Sequence, residues 1–441
     1  MHEEARHFDL EAPLPRLGWA GHETIFGDRN IESQKFHHTQ SVTIKCNMQI
    51  SNVDRIVLAQ GLRAYAYGFT SVLLGHLLAR KGATALQVGF LLTTIIFGAA
   101  LSSLFLLRFT EGIGRRRLYG VFYILLAVAG LLVAIYPKTW VIGVIALTGV
   151  LSTDSNDNGP ATTLEQTMLA QGSAKATITK VFGRYNGIAA VFGALGSLSQ
   201  GLLSHFHYFT TSYVGFLMLI PVGVGGFLLA QSLTNEVELT TTSARPHSLR
   251  DSPARKHILQ LAGLFSIDAA AGGLVTSTFL AYYLTSRYHA SGSALGTLFF
   301  ATSILSALSM FLAPSLAARI GLVATMVGTH LLSNAFLIIA AFSGSFHVAV
   351  IFLLLRSSLS QMDVPTRQAL IVTVVPEQDR MAAAAITNAS RYSIRPVSPL
   401  AGAFLQHIAL GMPLVICGGL KAVYDLGVLS WAHRGGFLKT L

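Results

Sequence analysis

Apolar stretches of about 20 residues recur along most of this chain, each long enough to cross a hydrocarbon core of roughly 30 Å as a helix. In lipid every backbone N–H and C=O must be bonded within the protein, and a helix achieves this inside one segment. Composition agrees. Of 441 residues, 52% are hydrophobic and 12% charged, against about 25% charged in soluble domains. The expected fold class is an all-α membrane protein.

Apolar runs broken by Gly, Pro or charge predict six spans in the first half, at 56–79, 85–107, 118–136, 140–160, 182–203 and 213–233. A Thr-, Ser-, Arg- and Pro-rich stretch follows. Six more runs lie at 258–284, 294–317, 322–342, 347–361, 382–405 and 412–431. The predicted organisation is a polar leader at 1–53, a six-helix unit at 54–233, a linker at 234–257 and a second six-helix unit at 258–441. Twelve transmembrane helices in all are expected. The leader reads as a cytoplasmic tail, or, if translation starts at Met48, as a segment outside the protein.

The formal net charge of +11 would suggest nucleic acid in a soluble chain, but here the cations lie between apolar runs, so no nucleic-acid partner is expected. Arg115, Arg116, Arg117, Lys175, Lys180, Arg250, Arg255, Lys256, Arg319, Arg380 and Arg434 fall in alternate connections or at the end. The opposite side holds little beyond Arg80, Lys81, Lys138 and Arg287. Cations stay cytoplasmic, so both termini are expected in the cytoplasm. Cys46 and Cys417 offer no disulfide framework or metal pair. A GxxxxGK[ST] loop and an HExxH pair are also missing from the sequence, so neither ATP-driven nor metal chemistry is expected, and no cofactor.

The halves repeat one another. LRFTEGIGRRR at 107–117 follows the second run, and PSLAARIGL at 314–322 follows the eighth. Leu151-Ser152 leads into Asp157, Pro160 and Glu165-Gln166, as Leu359-Ser360 leads into Asp363, Pro365 and Arg367-Gln368. Repeats of this kind are the mark of many transporter folds.

The loop at 107–117 resembles the signature loop of the major facilitator superfamily, with Glu111, Gly114, Arg115 and Arg116 matching and Leu107 and Gly112 departing. The second copy keeps Arg319 and Gly321 and has Ala318 at the acidic position. The resemblance implies two six-helix bundles rocking around a central cavity lined by spans one, four, seven and ten. It also implies that this loop latches the halves. Segments 61–68, 268–273, 360–367 and 418–425 resemble poorly characterised bacterial efflux-type members. The fourth span lacks the mid-membrane Arg of standard multidrug antiporters, and the fifth has Gly187, Gly193 and Gly196 without the Pro of their Gly-rich motif.

A charge at mid-bilayer costs about 2.5–3.5 kcal/mol on insertion scales, so each one should face a cavity or a partner. Asp268, followed by three Ala and two Gly, is the first candidate for a coupling or substrate carboxylate. Arg63 lies beside Tyr65 and Tyr67, and suits an anion or Asp268 itself. Arg391 and Arg395 share a helical face, with Pro396 and Pro399 beyond. Asp154, Asp157 and Glu165, with Asp363 and Arg367 in the second half, read as gate or latch groups near the cytoplasmic ends of spans four and ten. Lys421 and Asp425 read as a structural pair at i, i+4, Trp140 and Trp431 as interfacial anchors, and His76 and His330 as isolated core residues. The function expected is secondary transport, as a monomeric proton-coupled exporter of a small molecule in the plasma or inner membrane. Its rivals are uptake of an organic anion or sugar, and a non-transporting membrane receptor.

Overall fold

The computed structural model describes residues 51–152, 154, 159–172, 178–206, 213–238, 252, 254–376 and 379–435, with the side chains at 104, 106–112, 170–172, 178–180, 372, 380–382, 384 and 385 left out. Residues 1–50 of the polar leader, Asp157 and the side chain of Glu111 fall outside the described residues, and α1 begins inside the expected leader at Asn52. Every regular element described is helical. The helices are α1 (Asn52–Arg80), α2 (Ala85–Ile113), α3 (Arg115–Ile135), α4 (Thr139–Ala146), α5 (Pro160–Gly172), α6 (Ile178–Leu203) and α7 (Leu219–Ser232), the last led in by a 3₁₀ turn at Tyr213–Met218. After the polar stretch come α8 (Arg255–Leu274), α9 (Ser277–Tyr288), α10 (Gly292–Ile320), α11 (Leu322–Phe342), α12 (Phe346–Ser360), α13 (Asp363–Val374), α14 (Arg380–Ile394), α15 (Ser398–Gln406) and α16 (Met412–Arg434).

Among the described residues, nine helical stretches are long and apolar enough to cross a membrane. The chain is a multi-pass α-helical membrane protein. Three of the twelve expected runs fall outside that set: α1, which carries buried Gln60, Arg63 and His76, and the interrupted pairs α4/α5 and α14/α15. The fourth run was expected to be continuous from 140 to 160, but α4 stops at Ala146 and the helix resumes at Pro160. Gly149 takes a left-handed φ of 72° in between, and Pro160, with no N–H to bond backwards, is suited to a first helical position. The tenth run continues past its expected end as α13, so that its polar tail is helical too.

The internal repeat is visible as geometry. Helices α2 and α10 are each 29 residues long, and α3 and α11 after them are each 21. A single glycine joins each pair, Gly114 at φ 91° and Gly321 at φ 92°, a conformation an L side chain rarely adopts.

Small residues set how closely the helices approach, because association in lipid rests on packing rather than on hydrophobic burial. A Cβ on Gly68 would lie 2.1 Å from the Gly193 carbonyl oxygen, and one on Gly196 would lie 2.0 Å from that of Tyr65, so α1 and α6 meet backbone to backbone. Gly75 touches Thr278, Gly201 touches Gly296 and Gly89 touches Ala403, joining helices from before and after the polar stretch. Gly196→Ala should force α1 and α6 apart at a cost of about 1–3 kcal/mol. Thermal unfolding of the purified variant should show a lower midpoint, and an unchanged one would mean the helices do not touch there.

Candidate functional site

Two clusters of charge are buried inside the helical bundle. In the first half Arg63 on α1 and Glu165 on α5 form an ion pair at 2.5 Å, with side chains 1% and 0% exposed. Tyr119 and Tyr185 each donate to the Glu165 carboxylate at 2.6 Å. Arg63 also donates to Gln60 and, at 3.2 Å, to Thr162, while its guanidinium lies 5.6 Å from the centre of the Tyr67 ring. Each charge thus has its counter-charge inside the protein, although the Arg63 Nε is buried without a hydrogen-bond partner. Glu165, expected as a gate or latch group, lies on α5 after the break and pairs with Arg63, and Arg63 does not meet Asp268.

In the second half Asp268 on α8 is met by Lys421 of α16 at 2.5 Å, Arg367 of α13 at 3.4 Å and Arg391 of α14 at 3.7 Å. Arg367 also pairs with Asp363 at 2.8 Å and lies over the Phe265 ring. The i, i+4 pair expected within α16 does not form. Lys421 reaches Asp268 instead, and Asp425 takes His330 at 2.8 Å and Asn334 at 3.0 Å. His330 is therefore not isolated, and its Nε2 stands 3.5 Å from Lys421. A partner on another helix lowers the cost of a buried charge without bending its own helix, which is the physical reason these groups turn inward.

The two clusters are related by the repeat with the charges exchanged. The first helix of one half holds Arg63 and the fourth run holds Glu165, 102 residues on; the other half holds Asp268 and Arg367, 99 residues on. Charge sign is free to swap between repeats because an ion pair needs only complementarity.

Asp154 joins the halves. It sits in the break between α4 and α5, accepts from the Ser277 backbone N–H at 2.8 Å and pairs with Arg395 at 2.9 Å. Ser277 begins α9, where the unpaired N–H groups and helix dipole favour an anion. Arg391 and Arg395, expected on one face, part company because α14 ends at Ile394 and a 3₁₀ turn, Arg395–Val397, carries the second arginine toward the other half. Tyr282 donates to the Ala83 carbonyl at 3.1 Å, and His76 bonds Thr285 at 3.2 Å. These links close the end of the bundle that carries the 81–84 and 289–291 connections.

At the other end Arg115 and Arg116 offer their backbone N–H groups to Glu238 at 2.8 and 3.2 Å, so the start of α3 is capped by an acid from beyond α7. Arg319 is exposed at the matching place in the second half. Trp140 is exposed as an anchor would be, but Trp431 is only 8% exposed and packs on His257. Arg356, Gln60, Tyr185 and Glu238 are absent from the residues singled out above; a lone charge inside an apolar run is the signal that marks Arg356. Glu165→Gln should cost about 3–5 kcal/mol, because it leaves Arg63 buried and uncompensated, while Arg63→Met with Glu165→Met together should cost less than either single change. Unfolding midpoints of Glu165→Gln, the two single Met variants and the double variant test this, and additive losses in the Met series would show that the pair is not coupled.

No protein-family model matches the chain. An uncharacterized membrane protein of Saccharomyces cerevisiae is 23% identical over 406 residues, covering 83% of this chain and 90% of that one. Among solved structures, a nucleoside transporter, NupG, superposes with a TM-score of 0.68 at 11% identity, covering 86% of this chain and 99% of its own. A bacterial homologue of the iron transporter ferroportin, in its inward-facing state, gives 0.66 at 14%, covering 86% and 98%. A D-xylose–proton symporter gives 0.64 at 12%, covering 86% and 97%. The fold of this chain is that of the major facilitator transporters.

Proposed function

We propose that this protein is a proton-coupled secondary transporter of a small molecule, working by alternating access with twelve crossings and both termini in the cytoplasm of a plasma or inner-membrane protein. The observation that carries the reading is Asp154, one carboxylate that holds the broken seventh run and the eleventh run of the other half at once. Contacts of this kind are few, polar and reversible, so they suit a gate better than a permanent seam. Discontinuous helices near mid-depth, here α4/α5, α8/α9 and α12/α13, are where transporters of this architecture place substrate and coupling ions. The likeness in fold to nucleoside, iron and xylose transporters supports transport as the activity.

Asp268 is the coupling carboxylate in this reading. Lys421, Arg367 and Arg391 all draw on its single charge, so a proton arriving at Asp268 releases cations on three other helices. That couples protonation to helix position. The efflux-type resemblance favours export. The cation excess around Asp268 favours the rival, because an anionic solute competing with Asp268 for those cations binds best when Asp268 is protonated, and solutes that bind with a proton travel with it.

Spin labels at Lys81 and His289, on exposed connections of opposite halves, should report two distance populations whose ratio changes with pH in the native sequence. In Asp268→Asn the ratio should be independent of pH. Asp154→Ala should favour the longer distance by on the order of 1 kcal/mol, about fivefold, since the pair is partly exposed and screened. One fixed distance at every pH would sink alternating access.

A further inference from the structure

Arg356 lies about one turn before the end of α12, and among the described residues no carboxylate pairs with it. Its face of the helix is the inner one: Ala349, Leu353 and Ser360 beside it are buried, while Val348, Ile351 and Leu355 opposite are exposed. The side chain therefore faces the second bundle, where Ser333 of α11, three residues from His330, donates to the Arg356 carbonyl at 3.3 Å. Its Nε is buried without a hydrogen-bond partner, and among the described residues its side chain makes no ion pair. Around it the cations Arg356, Arg367, Arg391 and Lys421 outnumber the carboxylates Asp268, Asp363 and Asp425 by one, His330 aside. Arg63 with Glu165 and Arg395 with Asp154 balance on their own.

A partly buried guanidinium whose Nε is closed off from solvent without a partner is costly, and chains retain one where something else supplies the anion. We propose that a small substrate oxyanion, a carboxylate or a phosphate, completes this cluster, engaging Arg356 side-on through Nε and one terminal nitrogen. The planar fork of arginine matches two oxygens of such a group, and an idle Nε leaves the side-on edge open. The Arg391 side chain, 29% exposed and 3.7 Å from Asp268, is the loosest of the other cations and turns to the same anion when Asp268 is protonated. A neutral solute leaves Arg356 unpaired and is rejected on that ground. This assignment rests on the transport reading and names its substrate class.

The test uses the full chain in lipid nanodiscs, with thermal unfolding followed in a buffer free of other oxyanions. Inorganic phosphate and lactate are the anionic probes, and D-xylose and uridine the neutral ones. At saturation at least one anion should raise the midpoint by about 2 °C or more, and neither neutral solute should. Arg356→Gln should abolish the rise while keeping an anion-free midpoint equal to or above that of the native protein, since it removes an unpaired charge. Arg356→Lys should retain part of the rise. Equal responses in the native and Gln proteins, no response to either anion, or a lowered anion-free midpoint in the Gln variant would each overturn the assignment. A rise with a neutral solute alone would overturn it and leave transport standing, whereas anion stabilisation without the pH-dependent distance change would leave an anion-binding protein that does not transport.

Discussion

Charge cannot be left unpaired in hydrocarbon, and this constraint organises the protein more than any apolar contact does. Lipid is as apolar as leucine, so burying leucine selects no particular neighbour. Arg63 and Glu165, by contrast, have one good solution, and reaching it fixes α5 against α1 and draws in Tyr119 and Tyr185 from α3 and α6. Asp268 does the same for α8, α13, α14 and α16. Each half is keyed by one polar knot around which small residues allow the backbones to close.

The breaks in the helices follow from the same constraint. A continuous helix satisfies its own backbone and has nothing to offer a neighbour or a solute. Where α8 gives way to α9, the freed N–H of Ser277 becomes a donor, and Asp154 reaches it from a break in the other half. Two interruptions, one in each half, thereby meet at a single carboxylate. The same few residue types are used in two ways: buried ion pairs hold each half together, while the more exposed Asp154–Arg395 pair joins the halves.

The exchange of charge sign between the repeats shows how asymmetry arises in a duplicated fold. The first-half knot is closed and balanced, with both side chains almost wholly buried. Its counterpart has collected Lys421 and Arg391 around Asp268, with a further cation, Arg356, that makes no ion pair among the described residues.

Much of the architecture is legible in the sequence, because helices in lipid are local objects: an apolar run, a proline or a charge acts within one or two turns. The runs, the repeated loop with Gly114 and Gly321, and the importance of Asp268 and Arg63 all follow from such local signals. Partners do not. Lys421 has an acid one turn away at Asp425, yet chooses Asp268 at a separation of 153 residues, and Arg63 chooses Glu165 at a separation of 102. Sequence determined which side chains would need a counter-charge. Tertiary structure decided which one they found, because ion pairing depends on distance in space across helices whose packing the linear pattern does not encode.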